Sequence, residues 1–270
     1  MNIENILSFE INKTWQTVFE MVKDKSELKV LLLPNDFHNL KVCIKALITE
    51  KTASDFFIPF GTIDPKMIFD AVENKNYDLL PEYMRAVANK AFEVFLHTAD
   101  SQVCDTLIDN CLLRKMEEIS LNSKIEIERE YAELFVAVAN IKVAVRACKT
   151  NKKIKFLNIA MVNCKSLNID ELKKATLSGI DKLYEYLLKT PYDDAVPYLK
   201  TSMALFEKWY DDKIVDLIKK EKSNPFTLAP IIAYVLARQN EIKVIRIIFS
   251  GKRNKISDDM IRERLRCMYV

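Results

Sequence analysis

Glycine is nearly missing from this chain: among 270 residues only Gly61, Gly179 and Gly251 occur, against an average usage of about 7%. Sheets spend glycine at hairpins and bulges, whereas helices joined through proline and asparagine turns need little. The shortage therefore favours helices. Histidine is just as scarce, and His38 and His97 cannot build an HExxH zinc site. Neither a GxSxG elbow nor a GxGxxG fingerprint occurs, and Ser250-Gly251-Lys252 lacks the first glycine and the Ser/Thr of a phosphate-binding loop. The six cysteines (Cys43, Cys104, Cys111, Cys148, Cys164, Cys267) contain no CxxC pair, so buried reduced thiols are expected rather than disulfides. The longest apolar run, Leu228 to Ala237, is about half of a membrane crossing. Met1 to Glu10 carries no basic region followed by an apolar stretch. Neither a catalytic constellation, a cofactor motif nor a membrane-inserted segment is expected, and the chain reads as cytosolic and soluble.

Charge of one sign is lacking too, with 41 basic and 38 acidic residues. A dedicated nucleic-acid binder must neutralise several phosphates and carries a larger excess. Local basic clusters exist at Lys152, Lys153 and Lys155 and at Arg262, Arg264 and Arg266. They read as solvated helix faces and ends, with a basic nucleic-acid module as the alternative. The acid pairs Asp193-Asp194 and Asp211-Asp212, beside Tyr192 and Tyr210, read as solvated turns or helix ends rather than acid–base machinery. His38, next to Phe37, reads as a partly buried packing residue.

Hydrophobic residues make up 49% of the chain, which excludes general disorder, and their spacing is helical. From Trp15 through Val18, Phe19 and Val22 the steps are three or four. Leu31 to Leu33 closes that segment at Pro34, and Asp36 caps a new helix carrying Phe37, Leu40, Ile44 and Leu47. All eight prolines read as helix breaks or starts, with Asp64-Pro65 and Pro81 opening two helices. Ser101 starts another, and Ser123 with Glu126 has capping-box spacing ahead of a long helix through Tyr131, Val138, Ile141 and Val145. Later helices follow Asp170, Ser178, Pro197 and Pro230. Gly251 ends one of them in a left-handed conformation, and Ser257 caps the last. No segment alternates in the manner of a strand.

Internal repetition is the most informative feature. Asn39-Leu-Lys-Val-Cys-Ile-Lys-Ala46, Asn140-Ile-Lys-Val-Ala-Val-Arg-Ala147 and Val244-Ile-Arg-Ile-Ile-Phe-Ser-Gly251 share one pattern, with starts 101 and 104 residues apart. Ile63-Asp64 recurs as Ile169-Asp170, 106 residues later. That period exceeds the roughly 20–50 residues of solenoid repeats, so each unit should be a small helical domain. The units are placed at 1–60, 61–163 and 164–270, the first lacking its opening helix and so incomplete. The basic third position of each repeat, Lys41, Lys142 and Arg246, lies about 100° round the helix from a core aliphatic. It has two readings. One is a snorkelling side chain or internal salt bridge, and the other is a pseudo-symmetric ring of positive charge facing an acidic partner.

These segments carry a family resemblance. Pro34-Asn-Asp-Phe-His-Asn-Leu-Lys-Val-Cys-Ile-Lys-Ala46 resembles the "DxxNLKxLLKA" stretch of the C subunit of V/A-type ATPases, a family that includes the eukaryotic d subunit. Gly61-Thr-Ile-Asp-Pro, continuing to Leu80-Pro81-Glu82-Tyr83, is similar to its "GTI…LPE" region. Glu241 to Lys252, with Ile261-Arg-Glu-Arg-Leu265 after it, resembles the C-terminal "EIRNIRxILRGK…IRERL" signature, Val244 and Ser250 standing where that signature has asparagine and arginine. Family members normally begin with a further helical stretch before the equivalent of Leu7, and the period puts the difference here at roughly 45 residues.

The resemblance implies an all-α protein of three related domains in a pseudo-threefold, funnel-like arrangement. It implies a non-catalytic central-stalk subunit of a rotary V-type ATPase or ATP synthase, peripheral on the cytoplasmic face of the membrane. Its partners would be the central-shaft subunits and the membrane proteolipid ring. It would transmit torque for H+ or Na+ transport while nucleotide chemistry and ion passage belong to other subunits. A generic helical adaptor is the other alternative.

Overall fold

The computed structural model describes residues 3–221 and 227–269. Among them are thirteen α-helices and no strand, so the all-α expectation holds. None of these helices is long and apolar enough to cross a membrane. Contacts divide the chain into two compact units, one of Met1–Lys23, Asn122–Tyr131 and Tyr184–Val270, the other of Asp24–Leu121 and Ala132–Leu183.

The first unit holds α1 (Ile3–Met21), α10 (Val196–Thr201), α11 (Met203–Lys220), α12 (Ala229–Arg253) and α13 (Asp258–Arg264). Helix α1 lies along α12. Glu4 meets Arg246 while Glu10 meets Arg238, so the two run antiparallel. Trp15, Val18, Ile232, Val235 and Leu236 are each at most 5% exposed. Tyr192, Phe206 and Trp209 make an aromatic cluster, the last two stacked with centroids 5.4 Å apart.

The second unit holds α2 (Lys29–Thr49), α3 (Pro65–Glu73), α4 (Glu82–Thr98), α5 (Ser101–Asn122, but for its last residue), α7 (Ile154–Ala160) and α8 (Ile169–Leu177). Helices α6 (Glu126–Thr150) and α9 (Ile180–Leu187) have residues in both units. Two starts follow the sequence closely. Asp64 accepts from the Lys66 amide at 2.8 Å with Pro65 at the first helical position, and Pro81 is the residue before α4.

Other starts differ from the sequence reading. Pro34 sits inside α2, which begins at Lys29 and runs through it. An interior proline costs about 3 kcal/mol. Val30, Leu31, Leu32, Leu33 and Phe37 are nearly fully buried, each gaining about 1.5–3 kcal/mol, so burial wins. Asp36 is therefore an interior residue rather than a cap. Asp100, not Ser101, caps α5 by accepting from the Gln102 and Val103 amides. Asn168 rather than Asp170 caps α8. Ser123 accepts from the Ile125 amide at 3.1 Å, but its carboxylate partner is Glu128 in place of Glu126. Ser257 precedes α13 without a side-chain cap bond. Pro225 lies outside the described residues.

Gly251 does not end α12, which continues to Arg253. A Cβ there would stand 2.6 Å from Ile261 Cγ1, so glycine lets α13 lie directly on α12. The left-handed residue comes later, at Lys255. With so few glycines, the left-handed positions Glu50, Ala99 and Asn151 likewise carry side chains.

Candidate interface

The repeated segments share a device that the sequence did not announce. Asn39, wholly buried in α2, donates to the Ile58 carbonyl and accepts from the Ile58 amide, both at 2.8 Å. Asn140, wholly buried in α6, does the same to Val162, at 2.7 and 3.1 Å. One side-chain amide thus satisfies both backbone groups of a residue with no helix or strand to pair it. A carboxylate then holds the chain four residues further on. Asp36 accepts from the Thr62 amide and hydroxyl (3.1 and 2.6 Å) and the Ile63 amide (3.2 Å). Glu133 accepts from the Ser166 amide and hydroxyl at 2.8 and 2.6 Å.

Burial raises the Asp36 carboxyl above the usual aspartate value of 3.8, against the pull of the Thr62 and Ile63 donors. Gly61 follows from this clamp, because a Cβ there would meet Asp36 Oδ1 at 2.0 Å.

The third copy is divided between two residues. Asn240 donates to the Cys267 carbonyl at 2.8 Å, while the Cys267 amide donates to Asp212 Oδ1 at 2.6 Å. Asn240 Oδ1 is buried without a partner. The clamping asparagines are spaced 101 and 100 residues apart. The third therefore lies one helical turn before Val244, the position that the sequence aligned with Asn39. Beside it Asp211, only 5% exposed, is not a solvated turn. It lies within α11 and pairs with Lys243 at 2.6 Å and Arg266 at 2.9 Å, tying the C-terminal segment down. Asp194 matches its surface reading, pairing with Lys213 at 2.7 Å. His38 is exposed rather than packed, its Nε2 3.1 Å from the Phe56 carbonyl oxygen.

Of the three basic repeat positions, Lys41 pairs with Asp109, as Lys45 does with Asp105 at 2.7 Å. Lys142 lines a groove of about 430 Å³ beside the same two aspartates, with Arg146, Phe135 and Phe156. Lys41 and Lys142 are thus brought to one acidic stripe of α5. Arg246 belongs to the other unit and meets Glu4 through two guanidinium bonds of 3.0 and 3.2 Å.

Among the described residues no three His, Cys, Asp or Glu side chains are grouped to hold a metal. All six cysteines are free. Burial pushes the Cys43 thiol up to about 12 and the Cys104 and Cys164 thiols up to about 11. At neutral pH these three therefore stay protonated and are poor nucleophiles.

The model of the ATP synthase (C/AC39) subunit family matches residues 1–264. The C subunit of the V-type sodium ATPase of Enterococcus hirae is 22% identical over 272 residues, covering 99% of this chain and 83% of its own. The C subunit of the A-type ATP synthase of Desulfurococcus sp. is 22% identical over 97% of this chain and 74% of its own. That of Methanocaldococcus jannaschii is 22% identical over 97% and 71%. A match running from the first helix to the last, on an all-helical chain, means that this chain belongs to the ATP synthase (C/AC39) subunit family.

Proposed function

We propose that the chain is the non-catalytic central-stalk subunit of a rotary V-type ATPase or ATP synthase. It is a socket that joins the shaft of the soluble head to the membrane proteolipid ring and passes torque between them during H+ or Na+ transport. The observation that carries this reading is the family match over 1–264, with relatives named as the C subunit of V-type and A-type complexes. The side-chain clamps suit the task, because close-packed helices with tied-down connections compress little and transmit strain. In this reading the chain works on the cytoplasmic face, with no helix inserted across the bilayer. Its three domains, 1–60, 61–163 and 164–270, present related surfaces to ring and shaft.

Lys41, Lys142 and Arg246 are the proposed contact positions. The internal ion pairs of Lys41 and Arg246 supply a competing, purely structural role. Affinity purification of the tagged chain from its native cells tests the reading. Proteolipid and shaft subunits are expected in the eluate, and their absence from an otherwise intact complex would refute it. Reversing all three charges separates the two roles of the basic positions. Lost partner retention with unchanged melting supports contact, whereas lowered melting with normal retention supports structure.

A further inference from the structure

From Leu134 to Ile169 the chain has seven basic residues and no acidic one. The rest of the molecule, with 34 bases and all 38 acids, is net negative, so the positive charge is concentrated here. The segment turns a corner between α6 and α7 through Asn151, whose φ is 51°. Lys149, Lys153 and Lys155 are exposed there and make no ion pair with any described residue. Lys152 donates to the neutral Gln102 amide oxygen at 2.8 Å and lies over the Phe156 ring, so its charge also goes uncompensated. Ile154, between Lys153 and Lys155, and Ile159, one helical turn beyond Lys155, are 43% and 42% exposed, while Leu157 and Ala160 on the same short helix are buried.

We infer that the α6–α7 corner is a docking surface for an anionic lipid bilayer. Exposed lysines draw it to acidic headgroups, and Ile154 and Ile159 enter the headgroup–acyl boundary. Charge complementarity selects an acidic partner. The protruding isoleucines among the cations select a lipid surface over nucleic acid, whose phosphates offer nothing to an aliphatic side chain. Neither isoleucine lines the groove beside Lys142. This goes beyond the rotor reading and does not depend on it. A chain that purifies with ring and shaft but ignores vesicles overturns only the lipid surface.

The test is sedimentation of the full chain with vesicles of phosphatidylcholine alone or with roughly 30 mol% phosphatidylserine. Binding is expected to the anionic vesicles only, and to vanish near 1 M salt, where the Debye length is about 3 Å. Each lysine near the surface contributes about 1 kcal/mol. Lys149→Gln/Lys153→Gln/Lys155→Gln should therefore lower partitioning roughly 100-fold, and the corresponding Lys→Arg triple should retain it. Ile154→Ser/Ile159→Ser should weaken it further at constant charge. All these side chains are exposed, so melting temperatures should not move. Equal binding to both vesicle types overturns the inference, as does binding that survives the Gln triple. So does an isoleucine pair without effect while polyglutamate or RNA competes fully, since the corner would then be a general polyanion surface.

Discussion

Truncating the clamping asparagines should give a graded series whose order follows from the burial of what each one holds. Asn140→Ala leaves the amide and carbonyl of Val162 without partners, and Val162 is 4% exposed. An unpaired buried backbone group costs about 1–3 kcal/mol, so the loss should be about 2–5 kcal/mol. Asn39→Ala strips Ile58 in the same way, but Ile58 is partly exposed and water can replace much of the bonding, leaving about 1–3 kcal/mol. Asn240→Ala removes a single bond to the exposed Cys267, whose amide stays on Asp212. It also removes an oxygen that is already orphaned, so about 1 kcal/mol or less should be lost. Urea unfolding followed by circular dichroism reads the series. Amide exchange should show the Val162 N–H losing protection selectively in Asn140→Ala. If Asn240→Ala costs as much as Asn140→Ala, or Val162 exchange is unmoved, the clamp argument is wrong.

Gly251→Ala should cost about 1–3 kcal/mol by pushing α13 off α12, and Ile261→Ala should recover part of that in a double-mutant cycle, because the clash is with Ile261 itself. Ala99→Gly should stabilise by about 0.5–1 kcal/mol on thermal unfolding. Ala99 ends α4 at φ 53°, where relief of left-handed strain outweighs the entropy glycine adds to the unfolded chain. The Asp36 carboxyl has a raised folded-state pKa through burial. Its stabilising contribution is therefore complete below the ordinary 3.8 and lost as pH climbs through the folded value. Against the non-titrating Asp36→Asn, the wild-type advantage in urea midpoint should shrink with rising pH over that window, and a widening gap would reverse the sign assigned to burial.

The fold class was legible because its signals are local. Three-to-four spacing, scarce glycine and Asp64-Pro65 each act within a turn or two of helix. Pro34 misled for the same reason, since local chemistry says "break" and only the burial of Val30 to Phe37 overrides it. Asp36 read as a helix cap and Asp211 as a solvated turn or helix end because the groups that make them interior, Thr62 and Ile63 for one and Lys243 and Arg266 for the other, lie more than two dozen residues away in sequence. The repeat was visible at Asn39 and Asn140 through the apolar frame around them. In the third copy that frame put Val244 in register, and only the hydrogen bond to Cys267 shows that Asn240 carries the duty. The positions held by the clamps, Ile58, Val162 and Cys267, bear no residue signature, since it is their backbone that is bound. Arg246 could not be assigned from sequence either, its partner Glu4 being 242 residues away.

Torque transmission is tested most directly by watching this protein turn. With the catalytic head of the assembled complex fixed to a surface and a probe attached to this chain, added ATP should drive continuous one-way rotation of the probe in step with the shaft. A probe that stays still with the head while the shaft revolves would place the chain in the stationary part of the machine and contradict the account.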